Sequence, residues 1–323
     1  MHGVVHLTVQ SARLKYELDF IRNITILKGK SATGKTSLVD MIREYELNGA
    51  DTGINLGCSC PCRVLEGVAW MEQLERIHNS LVFIDEGNRF VASEDFARRV
   101  RGSDNYYVIV TRESLSNLPY SVTEIYGIRS TGKYAFQEPV YHQMYRIYGD
   151  YHVINIHKPD VLLTEDSNAG FDFFTGISSS INIKCISAHG AGNIFSILQE
   201  ADESRNITVI ADGAAFGPQM EKVYQVLMRK TGISLYLPES FEWLILSSGV
   251  LRDSEVQNIL ENPADHIRSE DYFSWERYFT QLLVSKTADS YLKYSKEALN
   301  PAFLQGKICS QIVAALPEML RLR

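Results

Sequence analysis

Residues Gly29, Lys30, Ser31, Ala32, Thr33, Gly34, Lys35 and Thr36 put two glycines, a lysine and a hydroxyl at the spacing G-x-x-x-x-G-K-[ST], with Ser37 directly after. The chemistry that needs this pattern is the capture of a polyphosphate. Glycines let successive backbone N–H groups turn inward, Lys35 reaches the β and γ oxygens, and the Thr36 hydroxyl is a ligand for Mg²⁺. Further on, the apolar run Leu81-Val82-Phe83-Ile84 delivers Asp85 and Glu86. Asp85 is suited to hold the Mg²⁺ through water, and Glu86 to orient or deprotonate an attacking water. The expected cofactors are ATP and Mg²⁺, with GTP left open. A third grouping, Cys58, Cys60 and Cys62, falls on one expected strand face. It has no matching Cys or His pair elsewhere, so structural thiols are expected there and not zinc.

The elements that must position these residues follow from periodicity. "VVHLTVQ" and "LKYELDF" alternate as a hairpin, and "NITILKG" is a buried strand running into the loop. A helix should begin near Thr36, where its N-terminal N–H groups add a positive end to the phosphate site. "VAWMEQLERIHN" has helical spacing, "SLVFIDE" reads as a strand, "SEDFARRV" as a capped helix and "NYYVIVTR" as a further buried strand. Residues 124–149 read as an antiparallel pair turned at Ser130–Gly132. The alternation predicts an α/β domain with a mostly parallel sheet over 1–150, its boundary near Asp150 to Lys158.

With both motifs present, the first half resembles the P-loop ATPases that carry an added glutamate, the broad group of AAA and ABC-like enzymes. The resemblance implies ATP hydrolysis with Glu86 and Lys35 as catalytic residues. It also implies a polar sensor of the γ-phosphate at the end of the neighbouring strand, which here is Thr111 in "YYVIVTRES". One of Arg98, Arg99, Arg101 or Arg112 would serve a neighbouring active site, although a solvated helix face accounts for any single one of them. No ABC-type signature segment is visible, so the subfamily stays open.

The second half repeats the alternation independently, with strands at "VLLTE", "INIKCISA", "ITVIAD" and "ISLYLPE" separated by helices, and is mainly helical after Glu239. The segments "VLLTEDSNAGFDFF", "KCISAHGAGNIFSIL", "ITVIADGAAFG" and "LYLPESFEWLIL" resemble the Toprim fold of the overcoming-lysogenisation-defect nucleases, over about residues 160 to 250. That resemblance implies a metal-dependent nuclease, with a glutamate after the first strand (Glu165), a glycine-rich turn (residues 189–193) and aspartates after the third strand (Asp212). The family's Asp-x-Asp pair is broken here as Asp212-Gly213-Ala214, so Glu239 or Glu242 would have to complete the set of Glu165, Asp212 and Glu242. Asp172 falls on a helix and is expected at the surface. The expected organisation is a P-loop domain over 1–150, a Toprim-like domain over 151–250, and a helical extension over 251–323 packed on the second domain. Three functions stand: an ATPase coupled to a Toprim-like nuclease of bacterial or phage-defence type, an ATP-driven switch whose altered Toprim-like half binds a partner protein, a nucleotide or nucleic acid without cutting, and a nucleotide-binding fold that never turns over.

The remaining expectations come from composition. With 323 residues, 45% of them hydrophobic, the chain can fill two cores, and a net charge of -7 argues against an unspecific nucleic-acid coat. Charges scattered through the first twenty residues and five cysteines predict a cytoplasmic protein without signal peptide or membrane partner. DNA or RNA is the expected target, and a homo-oligomer or partner subunit the expected assembly. The aromatic cluster Tyr272, Phe273, Trp275, Tyr278 and Phe279 fits a buried helix face better than base stacking.

Overall fold

The computed structural model describes residues 1–29, 33–131, 140–149, 158–320 and 322. The chain forms two compact units: Met1–Gly149 with Asn262–Phe273, and Asp150–Glu261 with Ser274–Arg323. The expected extension 251–323 is therefore divided. Asn262–Phe273 belongs to the first unit, where the Ala264 carbonyl accepts from the Gly3 N–H at 2.7 Å and the Phe273 carbonyl accepts from the Asn23 side-chain amide at 3.0 Å.

Unit 1 is built on nine strands: β1 Val5–Gln10, β2 Leu14–Phe20, β3 Ile24–Leu27, β4 Asn55–Cys58, β5 Cys62–Val64, β6 Leu81–Ile84, β7 Tyr106–Val110, β8 Ile125–Thr131 and β9 Val140–Arg146. Their order is β4-β1-β2-β9-β8-β3-β7-β6-β5. The half from β8 to β5 is parallel throughout. The other half is mixed: β1 pairs antiparallel with β2 and β4, β8 antiparallel with β9, and β2 parallel with β9. The sheet is thus less uniformly parallel than the strand-helix alternation predicts, because the hairpin ahead of the loop and the β8–β9 pair add strands of their own. β3, β6 and β7 are buried at every position, as continuous apolar runs demand when both faces are covered. Helix Lys35–Asn48 packs Leu38, Val39 and Ile42 into one apolar cluster with Leu27, Phe83 and Val108 and with Val5, Leu7 and Phe20 from the mixed half.

Two local expectations change. "VAWMEQLERIHN" is helical only over Trp70–Leu74. Beyond it, Arg76 and Ile77 make i→i−3 bonds and Asn79 takes a left-handed φ of 46°, which turns the chain so that Ser80 can lead into β6. Ser130 and Thr131 are paired strand residues of β8 and not turn residues; Gly132 lies outside the described residues. The cysteines also do not share one strand. Cys58 ends β4 and Cys62 begins β5, the two outermost strands of the order. Four residue steps span at most about 14 Å, so the sheet curls until its edges nearly meet at this seam.

Unit 2 carries a four-stranded, wholly parallel sheet of β10 Val161–Thr164, β11 Lys184–Ser187, β12 Ile207–Ile210 and β13 Ile233–Tyr236, in the order β11-β10-β12-β13. Helices Ala169–Ser180, Ala191–Glu200 and Gly217–Leu227 follow the first three strands, and Phe241–Ser247 follows the fourth. The doubly wound order places the ends of β10 and β12 side by side, where ligands commonly bind in such sheets. The later helices include Ser254–Glu261, Trp275–Thr287 and Gly306–Ala315. Trp275 and Phe279 are buried on helix Trp275–Thr287, whereas Phe273, also buried, precedes that helix and belongs to the first unit, so the aromatic cluster packs into cores but does not form one helix face. Among the described residues, no helix is long and apolar enough to cross a membrane.

Candidate functional sites

In unit 1, β3 ends at Leu27 and the chain reaches Gly29 with φ 131°. Lys30, Ser31 and Ala32 lie outside the described residues. The helix then starts at Lys35 with Gly34 as its N-cap in a left-handed conformation, φ 92°. Lys35 is 7% exposed; its ammonium donates to the Gly29 carbonyl at 3.1 Å and to the Thr33 hydroxyl at 2.8 Å. Burial pulls the Lys35 pKa down, Glu86 and Asp85 pull it up, and Arg112 adds to the lowering. These four side chains therefore share one electrostatic neighbourhood. Thr36 is exposed and Ser37 half-buried.

Nothing in the local pattern of the loop foretells what braces it. A Cβ on Gly34 would stand 2.8 Å from the Tyr16 hydroxyl and 2.9 Å from His142 Nε2. The Tyr16 hydroxyl donates to the Gly34 carbonyl at 2.9 Å, and its ring stacks on His142 with centroids 4.5 Å apart. Tyr16 sits on β2 and His142 on β9, a parallel pair in register. Gly34 thus serves two ends, a left-handed turn into the helix and a close approach of the loop to this aromatic floor.

Asp85 follows β6. Its Oδ1 is buried without a hydrogen-bond partner, and burial holds its carboxyl above the usual carboxylate range. Glu86 is exposed and pairs with Arg112 at 2.7 Å. Thr111 directly follows β7, which runs between β3 and β6. Its hydroxyl accepts the Glu113 N–H at 3.0 Å. The other arginines have partners of their own: Arg98 pairs with Asp95 at 3.3 Å, Arg99 with Glu75 at 2.9 Å, and Arg101 lies over the Phe273 ring.

In unit 2, Glu165 and Asp212 emerge at the ends of the neighbouring strands β10 and β12. The Asp212 N–H donates to Glu165 Oε2 at 2.9 Å, and Asp212 Oδ1 accepts the Phe241 N–H at 3.2 Å. With Asp166, Thr164, Pro238 and Phe241 they line a cavity of about 20 Å³, room for about one water. Burial pushes Glu165 up to about 7. Asp212 is raised too, first by burial and then by Glu276, Glu165 and Glu242. Glu242 is 1% exposed and accepts a hydrogen bond from the Tyr294 hydroxyl at 2.8 Å. Ala214 is 2% exposed. Asp172 is exposed, as expected.

Three members of this site went unpredicted. Lys296 pairs with Glu276 at 2.5 Å, and Glu276, Glu242 and Asp212 all raise its pKa against the lowering effect of burial. Tyr294 holds Glu242. All three come from residues 274–296, with no motif in that stretch to announce them. Among the described residues, no group of three or more His, Cys, Asp or Glu side chains is arranged to hold a metal ion. The donor set of Glu165, Asp212 and Glu242 accordingly does not fit a metal centre as it stands, since Glu242 is committed to Tyr294 and a lysine lies among the carboxylates.

No protein-family model matches the chain, and no curated protein matches its sequence.

Proposed function

We propose that unit 1 binds and hydrolyses a magnesium nucleoside triphosphate, ATP in the first instance. The observation that carries the reading is the buried, unpartnered Oδ1 of Asp85, at the end of a strand one removed from the phosphate-type loop and sharing an electrostatic neighbourhood with Lys35. A desolvated carboxylate oxygen without a donor is unfavourable unless a cation meets it. The residues fit the group. Gly29–Thr36 and Lys35 would hold the phosphates, and Thr36 and Asp85 the Mg²⁺, which when bound neutralises charge on the phosphate oxygens. Glu86 then needs to leave Arg112 to reach a water, and Thr111 would report on the γ-phosphate through the backbone that its hydroxyl secures. The test is equilibrium binding and phosphate release. Lys35→Ala should lose nucleotide binding, whereas Glu86→Gln should retain it and lose turnover by about 100-fold or more. Wild-type protein with no affinity for ATP or GTP in the presence of Mg²⁺ would end the proposal.

For unit 2 the reading we favour is a non-cutting Toprim-like module governed by the nucleotide state of unit 1. Three observations support it: Ala214 in place of a second aspartate, Glu242 tied to Tyr294, and Lys296 among the carboxylates. Control by nucleotide requires that ATP bind two states of the protein with different affinity. The nuclease reading has its own support in the Glu165–Asp212 juxtaposition at adjacent strand ends. Incubation of DNA and RNA with divalent cations separates the two. Cleavage by wild type that disappears in both Glu165→Ala and Asp212→Ala would establish the nuclease, and absence of cleavage across metals and nucleotides would leave the module.

A further inference from the structure

The seam between β4 and β5 gathers three thiols that the nucleotide chemistry does not use. Cys58 Sγ and Cys60 Sγ are 3.7 Å apart, both half-buried, and Cys62 beside them is buried. We propose that this seam is a peroxide-reactive dithiol, in which Cys58 is the attacking sulfur and Cys60 the resolving one. The S–H···S contact between Cys58 and Cys60 admits either sulfur as donor; with Cys60, and then Cys62, donating, the Cys58 thiol is lowered while Cys60 and Cys62 are raised by the same interaction and by burial, which casts Cys58 as the attacking sulfur. The thiolate is the nucleophilic form, and reactivity follows its population and its access to solvent. In the first step the Cys58 thiolate attacks one oxygen of a hydroperoxide, the O–O bond breaks, hydroxide (or alkoxide) departs and Cys58 becomes a sulfenic acid. In the second, Cys60 attacks the Cys58 sulfur, its proton leaves with the hydroxyl as water, and the disulfide forms. Two thiols are oxidised and one peroxide is reduced. The disulfide requires the sulfurs, joined through the single linking residue Ser59, to close from 3.7 Å to about 2.05 Å.

The test uses the full, reduced chain with one equivalent of hydrogen peroxide, followed by thiol titration and by alkylation, digestion and tandem mass spectrometry. Reactive thiols should fall from five to three, with Cys62, Cys185 and Cys309 alkylated and Cys58 joined to Cys60. Cys60→Ser should leave a sulfenic acid on Cys58 that dimedone labels. Cys58→Ser should slow the loss of thiols at least tenfold, and Cys309→Ser, remote in sequence, should change nothing. Retention of all five thiols, a disulfide that includes Cys62, Cys185 or Cys309, or no dimedone adduct in Cys60→Ser would each overturn the assignment.

Discussion

Replacing Asp85 with asparagine should change the stability of unit 1 in opposite directions with and without nucleotide. The Oδ1 atom is buried and unpartnered, and burial is the first cause of the raised carboxyl pKa. Asparagine keeps an unpartnered polar atom at that position, so what the substitution removes is the extra cost of the charge, which comes on top of the roughly 1–3 kcal/mol of any unsatisfied buried polar group. Because the side chain is only half-buried, solvent screening keeps the gain on removing the charge to about 1 kcal/mol. In a domain of this size that is a rise in Tm of about 2–4 °C for the nucleotide-free variant. At 100-fold excess over its Kd, Mg-ATP would stabilise wild type by about 2.7 kcal/mol. The variant, without the carboxylate on the magnesium side, should gain only a fraction of that, so the order of the two proteins reverses. The pH dependence has a defined sign. A folded pKa raised above the ordinary aspartate value of 3.8 makes the native state hold the proton more tightly, so the penalty is full at neutral pH and is relieved as pH falls through the folded pKa. The advantage of the variant should therefore fade in acid. Differential scanning calorimetry with EDTA, with saturating Mg-ATP, and at neutral and acid pH reads all three effects. A variant no more stable than wild type without nucleotide, or one that gains as much from Mg-ATP, would refute the idea that Asp85 is a charge awaiting a cation.

Gly34→Ala should destabilise unit 1 more than Gly49→Ala. Both glycines have positive φ, which costs an alanine roughly 1–2 kcal/mol, but only Gly34 also meets Tyr16 and His142 inside 3.0 Å; equal losses of Tm would remove the aromatic floor from the account of the loop. Glu165→Gln should flatten the pH dependence of unfolding for unit 2. The Glu165 pKa is raised from 4.5 to about 7, so wild type should lose stability as pH rises across that window and change little above it, while unchanged slopes in the two proteins would count against a desolvated Glu165. Tyr294→Phe leaves the buried Glu242 carboxylate short of a donor, at a cost of about 1–3 kcal/mol visible as a lower midpoint in urea; an unshifted midpoint would mean that the hydrogen bond contributes nothing.

What could be read from the sequence is what is encoded locally. The loop glycines, the apolar run before Asp85 and the buried runs of β3 and β7 each carry their structure in a window of a few residues, because burial on both faces of a strand and the start of a helix leave local compositional marks. The side-by-side placement of Glu165 and Asp212 could be expected only through the resemblance, and the parallel β10–β12 pairing supplies its physical basis. Pairing between distant segments leaves no such mark. The register of β2 with β9 that sets Tyr16 on His142 joins segments more than a hundred residues apart, and alternation in either strand is equally compatible with other partners. The same holds for Lys296, which "SKTADSYLKYSKEALN" presents as one lysine among several on a solvated stretch. It becomes a site residue only because the fold encloses it with Glu276 and near Glu242 and Asp212, where an ammonium lowers the cost of three neighbouring carboxylates. The cysteines err in the opposite direction: alternate spacing suggests one strand face, yet Pro61 and the curl of the sheet break the strand between them. That break turns a pattern expected to be inert packing into a seam where two sulfurs lie within reach of one another.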